Sequence, residues 1–282
     1  MTIDLTGKTV LITGGTGGIG RVTARELARM GAQVVITGRN PERAAETVTE
    51  IQHSTGNPHV AALLGDLSVQ ADVRRLAEAF RQRYDRLDVL INNAGAVFFR
   101  RQVTVEGFEM TLALNHLAPF LLTNLLLDLL QRSSPARIIN VSSSAHRGAR
   151  LNLEDLNNSR RYMGWWVYCQ SKLMNILFTN ELARRLGSSV TANSLHPGFV
   201  ATNFGRSNRG ILGLLWSEID LAAISPERGA QTSIYLASSP EVAGGSGEYF
   251  EDCKPRRADP AAYDTELARR LWDASRAMTG VG

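Results

Sequence analysis

Three things are scarce in this chain of 282 residues: cysteine, uninterrupted apolar sequence, and tracts rich in proline, glycine and serine. The two cysteines, Cys169 and Cys253, have no metal-ligand spacing and form no disulfide framework, which points to reduced thiols. The most apolar long segment, HLAPFLLTNLLLDLL at 116–130, is broken by Pro119, Asn124 and Asp128, so it reads as a buried helix rather than a membrane span. MTIDLTGKTVLITGG enters a strand pattern without a basic n-region, an apolar h-region or a cleavage site. The expectation is a soluble, cytoplasmic protein. With no linker, repeat or low-complexity tract to divide it, 1–282 is expected to be one domain. Nor is there an aromatic-interleaved basic stripe. The formal charge of +4 comes with scattered doublets such as Arg100-Arg101 and Arg160-Arg161, which read as solvated faces and argue against nucleic-acid binding.

What is present is an alternation. Short runs rich in Val, Ile and Leu (KTVLIT, QVVIT, HVAALL, DVLINN, ARIINVS, VTANSL) are separated by helical periodicity at 18–30, 41–53, 69–84, 104–132 and 165–186. Strands that are apolar on both faces, with helices between them, predict parallel βαβ units and a doubly wound α/β sheet. In the first helix Ile19, Val22, Leu27 and Met30 fall on one stripe, with Arg21, Arg25 and Arg29 outside and Gly31 ending it. Two segments resist the alternation: polar 144–164, and 203–225 with its apolar GILGLLW.

Between the first strand and first helix lies ITGGTGGIG, 12–20. Glycines there let backbone approach a pyrophosphate, and the helix that follows offers free amides and the positive end of its dipole. Two registers overlap, Gly15-x-Gly17-x-x-Gly20 and Gly14-x3-Gly18-x-Gly20, and the pattern does not choose between them. At the end of the second strand, where a free ribose 2′-hydroxyl favours a carboxylate, VVITGRN places Gly38 and then Arg39. That favours NADP(H), with NAD(H) as the alternative; Asn40 and Arg43 add polar and basic groups nearby.

Of the six tyrosines, only Tyr168, in YCQSK, has a lysine four residues on. At that spacing Tyr168 and Lys172 share one helix face. A phenol of pKa about 10 is poorly suited to base work at neutral pH, and a nearby ammonium stabilises its phenolate.

With TGGTGGIG, GDLS (65–68), NNAG (92–95), Asn115, NVSS (140–143), YCQSK and HPGFVAT (196–202) in order, the chain resembles the short-chain dehydrogenase/reductase family over residues 6–251. NVSSSAHRG and YCQSKLMNILFTNELARRL look most like its retinol dehydrogenase-like branch. The resemblance implies a Rossmann-type, mostly parallel seven-stranded sheet with helices on both faces. It also implies an NADP-dependent oxidoreductase acting on a carbonyl or alcohol carbon of an apolar, retinal-like substrate, with no metal. Tyr168 would be the general acid or base, Lys172 its tuning cation and a ribose ligand, Ser143 a donor to the substrate oxygen, and Asn115 part of a water relay. Ser142 and Ser144 are rivals for the serine role.

Cofactor contacts implied are Gly14, Gly15, Thr16, Gly17, Gly18, Ile19, Gly20, Arg39, Asn40, Asp66, Leu67, Asn93, Ala94, Gly95, Tyr168, Lys172, Pro197, Gly198, Val200 and Thr202. Tyr162, Trp165, Phe199 and Phe204 are expected at the substrate mouth, with a lid over 203–225 and a helical extension over 258–280. His196 reads as a core histidine. Ser143 and Tyr168 stand 25 positions apart, further than in many members, and the branch carries a comparable insert. A homodimer or homotetramer fits the family. The rival readings are an NAD-linked dehydrogenase and a dinucleotide sensor without chemistry; the Ser143, Tyr168 and Lys172 set argues against the second.

Overall fold

The computed structural model describes residues 3–198 and 224–281. Among the described residues eight strands form one sheet: β1 Thr9–Ile12, β2 Gln33–Gly38, β3 Val60–Leu64, β4 Val89–Asn92, β5 Ala136–Val141, β6 Val190–His196, β7 Tyr249–Glu251 and β8 Lys254–Arg256. Their order is β3-β2-β1-β4-β5-β6-β7-β8, parallel throughout except for β8, which pairs antiparallel with β7. The seven-stranded expectation is therefore one strand short. β8 is a three-residue, fully exposed edge, and its sequence KPR carries no apolar signal; Pro255 and two cations suit an edge that other strands should not join.

The apolar runs divide by parity between the two faces. Leu11, Val35, Leu90 and Ile138 point into one core with Phe80, Phe120, Phe178 and Trp272. Their neighbours Val10, Ile12, Val34, Ile36, Ile91 and Ile139 point into another with Leu27, Ile51 and Phe250. Two-sided burial is why the strands read as continuous apolar runs instead of alternating ones.

The helices are α1 Gly18–Arg29, α2 Pro41–Thr55, α3 Gln70–Arg83, α4 Met110–Leu112, α5 Ala118–Leu125, α6 Leu127–Arg132, α7 Gly164–Leu186, α8 Pro226–Ser238 and α9 Thr265–Thr279. Asn40, Ser225 and Asp264 cap α2, α8 and α9 by accepting a hydrogen bond from a backbone amide three residues on. The stretch expected to be helical from 104 starts only at Met110, and between α4 and α5 it winds as a π-helix over Ala113–Leu117. The C-terminal extension is a 3-10 turn, Pro260–Tyr263, followed by α9. Trp272 of α9 docks edge-on against Phe120 at 4.9 Å and is covered by the Arg185 guanidinium at 4.3 Å. Among the described residues no helix is long and apolar enough to cross a membrane.

Candidate active site

The carboxyl ends of β1, β2, β4, β5 and β6 open into a cleft of about 690 Å³. One end is the glycine loop. Gly14 (φ 67°) and Gly18 (φ 51°) occupy the left-handed region, where a side chain is strained. A Cβ on Gly20 would stand 2.4 Å from the Gly14 carbonyl oxygen. These three positions are the ones that demand glycine on backbone grounds, so the structure favours the wider register, Gly14-x3-Gly18-x-Gly20. Gly15 and Gly17 are required for different reasons: a Cβ on either would meet Ile36 at 2.5 Å or the Arg43 guanidinium at 2.6 Å. Thr37 and Thr13 hold the loop. The Thr37 hydroxyl accepts from Gly14 N at 3.2 Å, and that of Thr13 accepts from the amides of Asn93 and Ala94 at 2.9 and 3.0 Å. Asn93 Nδ2 donates back to the Thr13 carbonyl at 2.9 Å. α1 has no side-chain cap at Gly17, so its first amides face the cleft uncompensated.

Thr16, Ile19, Arg39, Leu67, Asn93, Ala94, Gly95, Pro197 and Gly198 all line this cleft. Asn40 does not. Its carboxamide is committed to capping α2 through the amide of Arg43 at 2.6 Å. Asp66 is also set back: Oδ1 accepts from the amide and hydroxyl of Ser68, while Oδ2 lies 3.7 Å from Arg39. Arg43, which is absent from the sequence-derived contact set, does line the cleft, and its Nε donates to the Thr16 carbonyl at 3.0 Å. The available signal is its position, one turn into α2 and close to the end of β2. Phe199, Val200, Thr202, Phe204 and nearly all of the 203–225 segment lie outside the described residues.

At the far end stand Ser143, Tyr168 and Lys172. β5 delivers Ser143 just beyond its last residue, and α7 carries Tyr168 and Lys172 one turn apart, both buried and both facing the cleft. The serine run separates by partner. Ser142 is buried, with its hydroxyl donating to the Lys172 carbonyl at 2.7 Å. Ser143 lines the cleft together with Tyr168, and its hydroxyl accepts from Ala145 N at 3.2 Å. Ser144 is exposed at the rim.

Burial pushes the Tyr168 phenol above its ordinary range, and the Ser143 side chain draws it partway back. Lys172 Nζ lies 5.5 Å from the tyrosine ring centroid and donates to the Val141 carbonyl at 3.0 Å; desolvation lowers its pKa to about 8. The expected lowering of the phenol by the ammonium is therefore not the dominant effect here. Burial is the largest effect on the phenol, which stays protonated at neutral pH as an ordinary phenol does.

Asn115 sits in the π-helical turn with its side chain closed: Oδ1 accepts from Ala96 N at 2.9 Å, and Nδ2 donates to the Ala96 carbonyl and the Ser171 hydroxyl at 2.9 and 3.0 Å. It acts as a buried clamp, and π turns of this kind recur at functional sites. Gly95 permits the approach, since a Cβ there would come 3.4 Å from Lys172 Nζ.

Trp165 lines the mouth with its ring 5.5 Å from Tyr168, whereas Tyr162 does not reach the cleft. The Tyr162 hydroxyl bonds the Phe98 carbonyl at 2.6 Å and Glu109 Oε1 at 3.2 Å, helping to satisfy a fully buried carboxylate. His196 is buried as expected but also borders the cleft, 4.0 Å from Glu251; burial holds it below the usual imidazole range. Among the described residues no cluster of three or more His, Cys, Asp or Glu could hold a metal.

The chain matches the family model described as short chain dehydrogenase over residues 8–210. It is 47% identical to human retinol dehydrogenase 14 across 292 residues, covering 98% of this chain and 87% of that protein. With human retinol dehydrogenase 13 it shares 45% identity, covering 98% and 85% of the two chains. A crystal structure of an uncharacterized protein from Mycobacterium Paratuberculosis superposes with a TM-score of 0.81 at 35% identity, covering 99% of this chain and 96% of that one. The Pseudomonas aeruginosa RhlG/NADP active-site complex gives 0.71 at 31%, covering 88% and 96%. The chain belongs to the short-chain dehydrogenase family of oxidoreductases, on the branch that includes the retinol dehydrogenases.

Proposed function

We propose that the cleft binds NADP(H) and that the protein moves hydride between the nicotinamide and a carbonyl or alcohol carbon of an apolar, retinal-like aldehyde or ketone. One observation carries this reading: Ser143, Tyr168 and Lys172 converge at one end of the same cleft whose other end is the glycine loop. The loop fits a pyrophosphate. Left-handed glycines, a Gly14–Gly20 approach too close for any side chain and the uncapped start of α1 together offer amides to an anion. At the adenosine end β2 finishes on Gly38 with no carboxylate, and Arg39 and Arg43 supply two cations for a 2′-phosphate. The NADP named in the RhlG complex and the retinol named in the curated relatives point the same way.

When bound, the nicotinamide supplies or accepts the hydride. In the reducing direction Tyr168, protonated at neutral pH, donates its proton to the carbonyl oxygen, and the Ser143 hydroxyl hydrogen-bonds that oxygen as negative charge develops. Lys172 places a positive charge near the phenolate left behind and would hold a ribose hydroxyl of the bound dinucleotide. Asn115 holds Ala96 and Ser171 fixed, which keeps the β4 loop and α7 in register, and the backbone of its π turn can support a relay water. Trp165 walls the mouth with an apolar face suited to a bulky hydrocarbon.

The experiment is a panel of aldehydes and ketones of graded hydrophobicity with NADPH. Turnover should rise with apolar surface; no NADPH oxidation with any member would overturn the reading.

A further inference from the structure

Ser143 faces two ways. It lines the cleft together with Tyr168, while its carbonyl turns behind the site to His146, which is fully buried. His146 Nδ1 lies 2.6 Å from the Ser143 carbonyl oxygen, and His146 Nε2 lies 3.0 Å from the backbone amide nitrogen of Asp259. These partners determine the tautomer. A carbonyl can only accept, so Nδ1 carries the proton; an amide can only donate, so Nε2 is bare. The ring packs edge-on against Tyr249 at 5.0 Å.

The histidine is one stitch of a larger seam. Asp259 Oδ2 accepts from Gly148 N at 2.9 Å and its Oδ1 accepts from Ala261 N at 3.0 Å, while the Arg147 guanidinium donates to the Arg257 carbonyl at 3.2 Å. The turn that follows β5 is thus laced to the segment after β8, across more than a hundred residues of chain. Tyr249, Arg147, Asp259, Glu251 and His196 are the charged or titratable groups that face the ring. Burial holds His146 below the ordinary imidazole range, consistent with the neutral form that both hydrogen bonds require.

We propose that His146 is a positioning residue: as its Nδ1–H tautomer it anchors the Ser143 backbone to the C-terminal segment and thereby aims the Ser143 hydroxyl into the cleft. The inference rests on the reading of Ser143 as the donor to the substrate oxygen. A displacement of about 1 Å in such a donor can cost about a hundredfold in rate, so the anchor matters although it touches no substrate.

The test compares the parent protein with H146L, H146N and S143A. For each, kcat and KM are read for NADPH-driven reduction of an apolar aldehyde, and NADPH affinity by fluorescence titration. Asn and Leu are nearly isosteric, but only Asn places a donor where Nδ1 stands. H146L should lose roughly tenfold or more in kcat with NADPH affinity unchanged, and H146N should recover most of that loss. Equal impairment of H146L and H146N, or parental kcat in H146L, would overturn the proposal. If H146L does not fold, H146N alone decides: kcat within about threefold of the parent supports the anchor, and a larger loss contradicts it. Undiminished turnover in S143A would instead overturn the reading of Ser143 on which the proposal stands.

Discussion

At its glycine end the cleft is made of main chain, whereas at its tyrosine end it is made of side chains held in place from far along the sequence. The glycine end needs little beyond residues 13–20 and their neighbours on β2 and β4: two left-handed glycines, one close backbone approach and a pair of threonine hydroxyls. The tyrosine end depends on long-range ties. Asn115 reaches Ser171, His146 reaches Asp259, and His116, desolvated to a pKa of about 4, meets Ser275 of α9 at 2.8 Å. The difference suggests a division of labour: binding of the dinucleotide should tolerate damage to the C-terminal scaffold, and catalysis should not.

The largest expected effect comes from breaking that scaffold. Trp272→Ala removes the residue that docks α9 on Phe120 and Phe178, and should lower unfolding free energy by about 3–5 kcal/mol in a urea titration. Next, Gly20→Ala strikes the other end. Its Cβ would meet the Gly14 carbonyl, an overpacking cost of about 1–3 kcal/mol, and NADPH affinity should fall by about tenfold or more in a fluorescence titration. Third is pH. Tyr168 is pushed above its ordinary range and stays protonated, whereas Lys172, lowered to about 8, loses its charge as pH rises through that value. Reduction should therefore decline above pH 8, by about tenfold per unit, in a profile of kcat/KM, and Lys172→Arg should move the limb to higher pH. The smallest effect is expected at Arg39, which is mostly exposed and screened: Arg39→Glu should shift preference from NADPH toward NADH by about tenfold or less in competitive titrations.

What could be read in the sequence follows the same divide. The glycine loop was legible because its constraint is local, although only backbone angles separate the two registers. Helical spacing puts Tyr168 and Lys172 on one face, but their expected role came only from the resemblance carried by the ordered motifs around them. The serine run could be ordered only by its partners, since Ser142 spends its hydroxyl on the Lys172 carbonyl. Tyr162 looked like a substrate residue because nothing in the sequence reveals that Glu109 is buried and needs donors. Asn40 and Asp66 stand at the expected strand ends, yet capping and turn hydrogen bonds hold them back from the cleft. β8 was invisible because an exposed KPR edge has no apolar period; it forms because Asp252 and Cys253 both adopt positive φ and fold the chain back on β7.

The central claim is that a buried phenol at the end of a dinucleotide cleft delivers a proton as hydride arrives. It is tested most directly by following NADPH oxidation by an apolar aldehyde in a single turnover, with the parent protein beside Tyr168→Phe. The account predicts that the variant binds NADPH as the parent does and transfers hydride about a hundredfold to ten-thousandfold more slowly. Hydride transfer at the parental rate in Tyr168→Phe would contradict it.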